Sequence, residues 1–207
     1  MNDRTPNPFA GARFLLSCAQ LSQLPDDDRP ELVFAGRSNA GKSSALNRLC
    51  GQQALARVSK TPGRTQLINL FEVPLGRLAD IPGYGFAKVA RDLRESWGAL
   101  IGRYLETRAN VCGIVQIMDV RHPLMPQDRQ LLEWAAARAL PCHVVLTKAD
   151  KLGYGAAKNA MLAVQRSLAQ VPGLSVQLFS AQAPSGVEAL RERASVLLSQ
   201  GAKIEDR

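Results

Sequence analysis

The apolar run Leu32-Val33-Phe34-Ala35 passes directly into Gly36-Arg37-Ser38-Asn39-Ala40-Gly41-Lys42-Ser43, after which Ser44-Ala45-Leu46-Asn47-Arg48-Leu49 reads as the start of a helix. A buried strand, a loop spaced G-x-x-x-x-G-K-S and a helix, in that order, confine the chain to one supersecondary unit. Such a loop turns successive backbone N–H groups and a helix N-terminus towards a single point, where phosphate is held. Gly36 and Gly41 allow the tight backbone, Lys42 reaches β- and γ-phosphates, and the Ser43 hydroxyl can ligate Mg²⁺. Residues Gly36 to Ser44 are therefore the expected phosphate cradle, and the expected ligand is a nucleoside triphosphate. A glycine-rich turn of no special purpose would need neither this spacing nor these flanks.

Three later segments select the base. Asp80-Ile81-Pro82-Gly83 follows a short apolar stretch. A carboxylate there can hold Mg²⁺ through water, and the Gly83 N–H can bond the γ-phosphate, although D-x-x-G alone is also an unremarkable turn. Thr147-Lys148-Ala149-Asp150 follows the strand-like His143 to Leu146. Asp150 can accept both hydrogens from guanine N1 and N2, while the Lys148 stem covers the base plane. Phe179-Ser180-Ala181 then ends another strand-like run and can offer backbone N–H groups to guanine O6. Adenine presents no matching donor pair, so GTP and GDP are the expected ligands.

The alternation of segments sets the fold class. Strands are expected at 31–36, 65–73, 76–80, 111–119, 142–147 and 175–180, and helices at 42–50, 91–108, 127–139, 156–170 and 185–199. Near-continuous apolar strands between helices predict a mainly parallel six-stranded sheet covered on both faces. The turn Pro74-Leu75-Gly76-Arg77 would add one antiparallel strand. Residues 1–30 read as an N-terminal extension with a helix near 12–24, residues 31–199 as the nucleotide-binding domain, and 200–207 as a frayed tail. With 207 residues, 46% of them apolar, the chain can bury one full core. No apolar run approaches the ~20 residues that span a bilayer. Neither end carries an acylation or prenylation motif. The four cysteines form no C-x-x-C pair, so a cytoplasmic protein is expected, without a membrane partner and as a monomer.

Longer strings narrow the reading. GRSNAGKSS, KTPGRTQLIN from Lys60, DIPGYGFAKV from Asp80, MDVRHPL from Met118 and TKADKL from Thr147 resemble the EngB/YihA/YsxC family of bacterial ribosome-biogenesis GTPases. The resemblance covers residues 10 to 198 and implies a Ras-like P-loop GTPase fold, Mg²⁺-dependent GTP binding, and a role in large-subunit assembly on which normal growth and division depend. It also implies that Thr65, within Gly63-Arg64-Thr65, joins Ser43 on Mg²⁺ and senses the γ-phosphate. Thr61 is the rival; Thr65 is favoured because it directly precedes the strand-like Gln66 to Phe71. Lys42, Thr65 and Gly83 are then the residues expected to touch the transferred phosphoryl group.

Two positions bear on the rate of hydrolysis. Ras-type enzymes place a water-orienting glutamine after D-x-x-G, where this chain has Tyr84, so slow turnover is expected. Asn39 occupies the position at which potassium-activated GTPases hold a monovalent cation. It reads equally well as a turn residue that tolerates unusual backbone. The net charge is +8, and nine basic residues face five acidic ones between Leu55 and Asn110, the segment that holds both switches. This favours a precursor of the large ribosomal subunit, met through rRNA phosphates, over a protein or membrane partner. A P-loop kinase is disfavoured by the guanine-reading TKAD.

Overall fold

The computed structural model describes residues 6–56, 67–84 and 93–202, and the side chains of all of these except 93–99. The strand pair at its centre explains the rest. Strand β2 (Glu31–Gly36) is buried along its whole length, and β5 (Val111–Asp119) lies parallel beside it. A strand with both faces covered is apolar along nearly its whole length, and Glu31 at the start of β2 is the exception. Here Leu32 and Phe34 enter one core, and Val33 and Ala35 the other.

Around this pair the chain builds β1 (Arg13–Cys18), β3 (Ile68–Val73), β4 (Gly76–Asp80), β6 (Cys142–Thr147) and β7 (Leu174–Leu178). The sheet order is β1-β3-β4-β2-β5-β6-β7, and β3 alone runs antiparallel to its neighbours. Helices α1 (Lys42–Cys50) and α5 (Val187–Gly201) cover one face through Leu46, Leu49, Leu190 and Leu197. On the other face lie α2 (Leu93–Thr107), α3 (Pro126–Ala137) and α4 (Tyr154–Ser167), with Tyr104, Leu131 and Val164 in that core. The fold is the expected α/β P-loop architecture. The Pro74-Leu75 turn joins β3 to β4 as a hairpin closed by Val73 and Gly76.

The sheet has seven strands instead of the expected six, and the difference is β1. The expected helix at 12–24 is absent; its residues form β1 and a single 3₁₀ turn at Leu21–Gln23. A helix there would have left the outer edge of β3 unpaired. Pairing supplies that edge with backbone hydrogen bonds, and side chains add to it. Phe14 meets Phe71 edge-on at 6.0 Å, Ser17 Oγ donates to Asn69 Oδ1 at 2.6 Å, and Arg13 donates to Glu72 at 2.9 Å. Cross-strand contacts of this kind override local propensity.

Below the sheet, at the opposite end from the phosphate loop, Glu31 is completely buried. Its carboxylate accepts from the Tyr104 hydroxyl at 2.7 Å and from Arg108 at 2.7 and 3.2 Å, and Arg77 lies 3.5 Å away. Arg77 is in turn bonded through both terminal nitrogens to Asp27. The paired guanidinium holds the Asp27 carboxyl down at about 2.

Candidate nucleotide-binding site

All the motifs that sequence reasoning placed at strand ends, and that lie among the described residues, meet at the carboxyl edge of the sheet. The phosphate loop leaves β2 at Gly36, and α1 begins at Lys42. Asn39 and Gly41 both take left-handed backbone, φ 63° and 99°. Gly41 does so at no steric cost, and its turn aims the start of α1 into the loop. Asn39 is among the few side-chain types that tolerate this geometry, and its side chain is exposed.

The D-x-x-G turn is fastened to the loop by its backbone. Ser38 N–H donates to Tyr84 O at 3.0 Å, and Tyr84 N–H donates to Gly36 O at 3.3 Å. Gly83 lies so close that a β-carbon there would sit 2.9 Å from Ser38 Oγ and 3.0 Å from Ser38 N, so only glycine fits. Lys42 Nζ is ion-paired with Asp80, and both side chains are largely buried. The loop lysine and the carboxylate at the end of β4 thus neutralise each other.

Tyr84 points away from this junction. It is 2% exposed, and its hydroxyl donates to Asp128 Oδ1 at 2.7 Å and accepts from Gln116 Nε2 at 3.0 Å. Asp128 also accepts the Met125 N–H at 3.0 Å, which closes the first turn of α3. Burial raises the pKa of both Tyr84 and Asp128. A phenol held in this way cannot orient a water at the phosphate loop.

At the base side, Lys148 (φ 59°) directs its ammonium to Asn39 O at 2.7 Å and to Asp119 Oδ2 at 2.9 Å. Asp119 is also gripped by Arg121 at 2.9 and 2.6 Å, which holds its carboxyl well below the usual carboxylate range. Asp119 lies within MDVRHPL but carried no assigned role in the sequence reading; an acid at the end of a strand beside TKAD was the available signal. Thr147 is buried and donates to Ala40 O and to Met118 O, the latter at 3.0 Å. It therefore reaches the site through the loop it braces, not through an exposed hydroxyl. Ser180 Oγ donates to Asp150 Oδ1 at 2.5 Å, which lowers the Asp150 pKa and fixes one carboxylate oxygen.

The third base-side segment needs correction. Phe179 N–H is bonded to Leu146 O at 2.8 Å and Ser180 N–H to Ser185 O at 3.2 Å. Both are consumed by the fold. Of the three expected donors to guanine O6, Ala181 N–H is the one without a hydrogen bond among the described residues. Thr65, its rival Thr61, Gly63 and Arg64 lie outside the described residues, as do residues 85–92 of the second switch.

The geometry has known counterparts. A family model described as "50S ribosome-binding GTPase" matches residues 31–148. The chain is 48% identical over 192 residues to a probable GTP-binding protein EngB of Photorhabdus laumondii, covering 92% of this chain and 91% of the relative. A protein of the same name from Escherichia coli O139:H28 is 47% identical over 200 residues, 96% and 95% of the two chains. The crystal structure of a probable GTP-binding protein engB superposes with a TM-score of 0.61 at 21% identity, covering 82% of this chain and 99% of that one. Era in complex with MgGDPNP and nucleotides 1506–1542 of 16S ribosomal RNA superposes with a TM-score of 0.60 at 21% identity, over 81% and 56%. The last two likenesses establish a common fold.

Proposed function

We propose that this chain, which belongs to the EngB family of GTP-binding proteins and so binds and hydrolyses GTP, acts in the cytoplasm as a nucleotide-gated switch during assembly of the large ribosomal subunit. The match to a family described as 50S ribosome-binding carries this reading, and the net charge of +8 supports an RNA partner. Charge in the switch-bearing segment contributes less than its composition implies, because Arg77 and Arg108 are neutralised by Asp27 and Glu31. Among the described residues no helix is long and apolar enough to cross a membrane.

Asp150, one oxygen of which Ser180 steadies, reads guanine N1 and N2 with its carboxylate, Lys148 covers the base, and Ala181 N–H meets O6. Mg²⁺ fits the donors present. A hydroxyl and a carboxylate are hard oxygen ligands of the kind that Mg²⁺ combines with nucleotide phosphates and water. Ser43 and Asp80 are those protein groups, and Thr65 completes them in the GTP state. Nucleotide phosphate would give Lys42 a new partner, and Asp80 would hold the ion through water, where Mg²⁺ would neutralise charge on the β- and γ-phosphates. With Tyr84 turned away, hydrolysis is slow, and the exposed Asn39 side chain would hold K⁺, which would neutralise charge developing on the phosphates.

The test is cosedimentation with large-subunit particles in a non-hydrolysable GTP analogue and in GDP. Binding is expected to be stronger with the analogue and to weaken steeply as salt rises. Equal pelleting in both nucleotides would defeat the switch. Phosphate release measured in K⁺ and in Na⁺ decides the part played by Asn39: it is expected to be faster in K⁺, and equal rates would remove the cation from the scheme.

A further inference from the structure

Beneath the base-side loop runs a half-buried polar chain that the sequence motifs do not touch. Gln177 donates its side-chain amide to Gly186 O at 2.7 Å and to Leu178 O at 3.2 Å. Leu178 ends β7 and Gly186 directly precedes α5, so one amide closes the base of the loop 179–185. Two donations fix which end of the amide is nitrogen, and its Oε1 must therefore accept. The partner of Oε1 is His143 Nε2 at 2.8 Å. Nε2 thus carries the ring proton, Nδ1 is the acceptor, and the Ser175 hydroxyl at 2.8 Å donates to it. His143 is only 4% exposed, so water does not compete for these bonds. Burial, reinforced by the nearby Arg193, keeps the ring neutral and brings its pKa down to about 4.

Inside the loop, Ser180 and Ser185 exchange backbone hydrogen bonds at 3.2 and 3.3 Å, and Ala183 N–H donates to Ser180 Oγ at 3.1 Å. These bonds tie the loop together internally. At its base Gln177 joins the end of β7 to the start of α5, alongside the Phe179 N–H to Leu146 O bond, and the orientation of Gln177 is set by His143.

We propose that His143 and Gln177 are positioning residues for guanine recognition, holding the loop so that Ala181 N–H stands where the 6-oxygen of the base arrives. This rests on the reading above that Ala181 and Asp150 face guanine. The relay touches no phosphate, so its loss separates base recognition from phosphate binding.

The experiment compares dissociation constants for GDP and for 6-thioguanosine 5′-diphosphate, which keeps N1–H and the 2-amino group for Asp150 but replaces the 6-oxygen with sulfur, a much weaker acceptor. The unaltered protein is expected to prefer GDP about tenfold, the worth of one hydrogen bond. His143→Phe fills the same space without the ring donor. It is expected to weaken GDP about five- to tenfold and leave the analogue unchanged, so the preference falls to near one. Gln177→Leu should do the same. His143→Gln, whose amide can still donate to Gln177, should restore most of the preference. Equal losses for both ligands, or a preference that survives both substitutions, would overturn the positioning role. In the unaltered protein, ¹⁵N shifts showing the ring proton on Nδ1 would overturn it without any substitution. If that protein binds both diphosphates equally, the guanine reading of Ala181 fails, and the positioning role fails with it.

Discussion

The two ends of β2 handle charge in opposite ways. At its start, Glu31 is sealed from solvent and shares three partners, and Arg77, one of the three, has Asp27 as a second acid. At its finish, roughly 17–20 Å away for a strand of this length, Lys42 and Asp80 hold only each other among the described ion pairs, beside a loop with two left-handed residues. The first arrangement is redundant, and losing one contact leaves others in place. The second is a single exchangeable pair, in which each member can be taken over by a ligand of opposite charge. Redundant pairing marks where the fold is locked, and single pairing marks where it is meant to open.

The largest test of this contrast is Glu31→Ala. Removing the shared acid leaves the buried Arg77 with Asp27 alone and the partly buried Arg108 without an acid among the described ion pairs, and is expected to destabilise the fold by about 3–5 kcal/mol. Urea denaturation measures this, and the GDP affinity of the folded fraction should be unchanged. Lys42→Ala should show the reverse pattern, with GTP binding weakened by about 1.5–3 kcal/mol in calorimetry and a much smaller change in the urea midpoint. If the two substitutions behaved alike, the distinction between the ends would collapse.

A smaller effect is expected at Tyr84, which belongs to the locked class although it follows the D-x-x-G turn. Tyr84→Phe strips Asp128 and Gln116 of a shared partner and should cost about 1–2 kcal/mol of stability. Tyr84→Gln should not raise phosphate release, because that position faces α3 and β5. A faster enzyme would mean that the side chain swings to the phosphates. The smallest effect concerns Asp27. Its folded pKa of about 2 lies below the usual 3.8, so its contribution is present above about pH 4 and is lost as pH falls through 2. The carboxylate is 39% exposed, and solvent screening limits the contribution to roughly 0.2–1 kcal/mol. Acid titration of stability should be correspondingly flatter in Asp27→Asn.

What was legible in the sequence was local. The phosphate loop announces itself because strand, loop and helix are contiguous, and buried parallel strands such as β5 are apolar at nearly every position. Asp80, Lys148 and Asp150 come to one edge of the sheet because each motif begins at the end of a strand, β4 or β6. The rest depended on partners distant in sequence. Nothing in RFLLSC says that β3 lies ready to pair with it. Phe179 and Ser180 lose their N–H groups to Leu146 and Ser185, a fact of sheet register. His143 and Asp119 read as ordinary strand residues until β7 and Lys148 are set beside them.

The edge position of β1 has a consequence in time. It is synthesised ahead of β2 to β7, yet it pairs only with β3, and its Arg13–Glu72 contact spans 59 residues of chain. Everything from the phosphate loop to β3 must be made before β1 has anywhere to go, so β1 waits longest between synthesis and pairing. Its loss in unfolding is equally separable. Because β1 contributes little to either central core beyond Cys18 and Leu16, it can detach while β2, β4 and β5 stay assembled, and amide exchange should register its loss well before that of the strands at the centre.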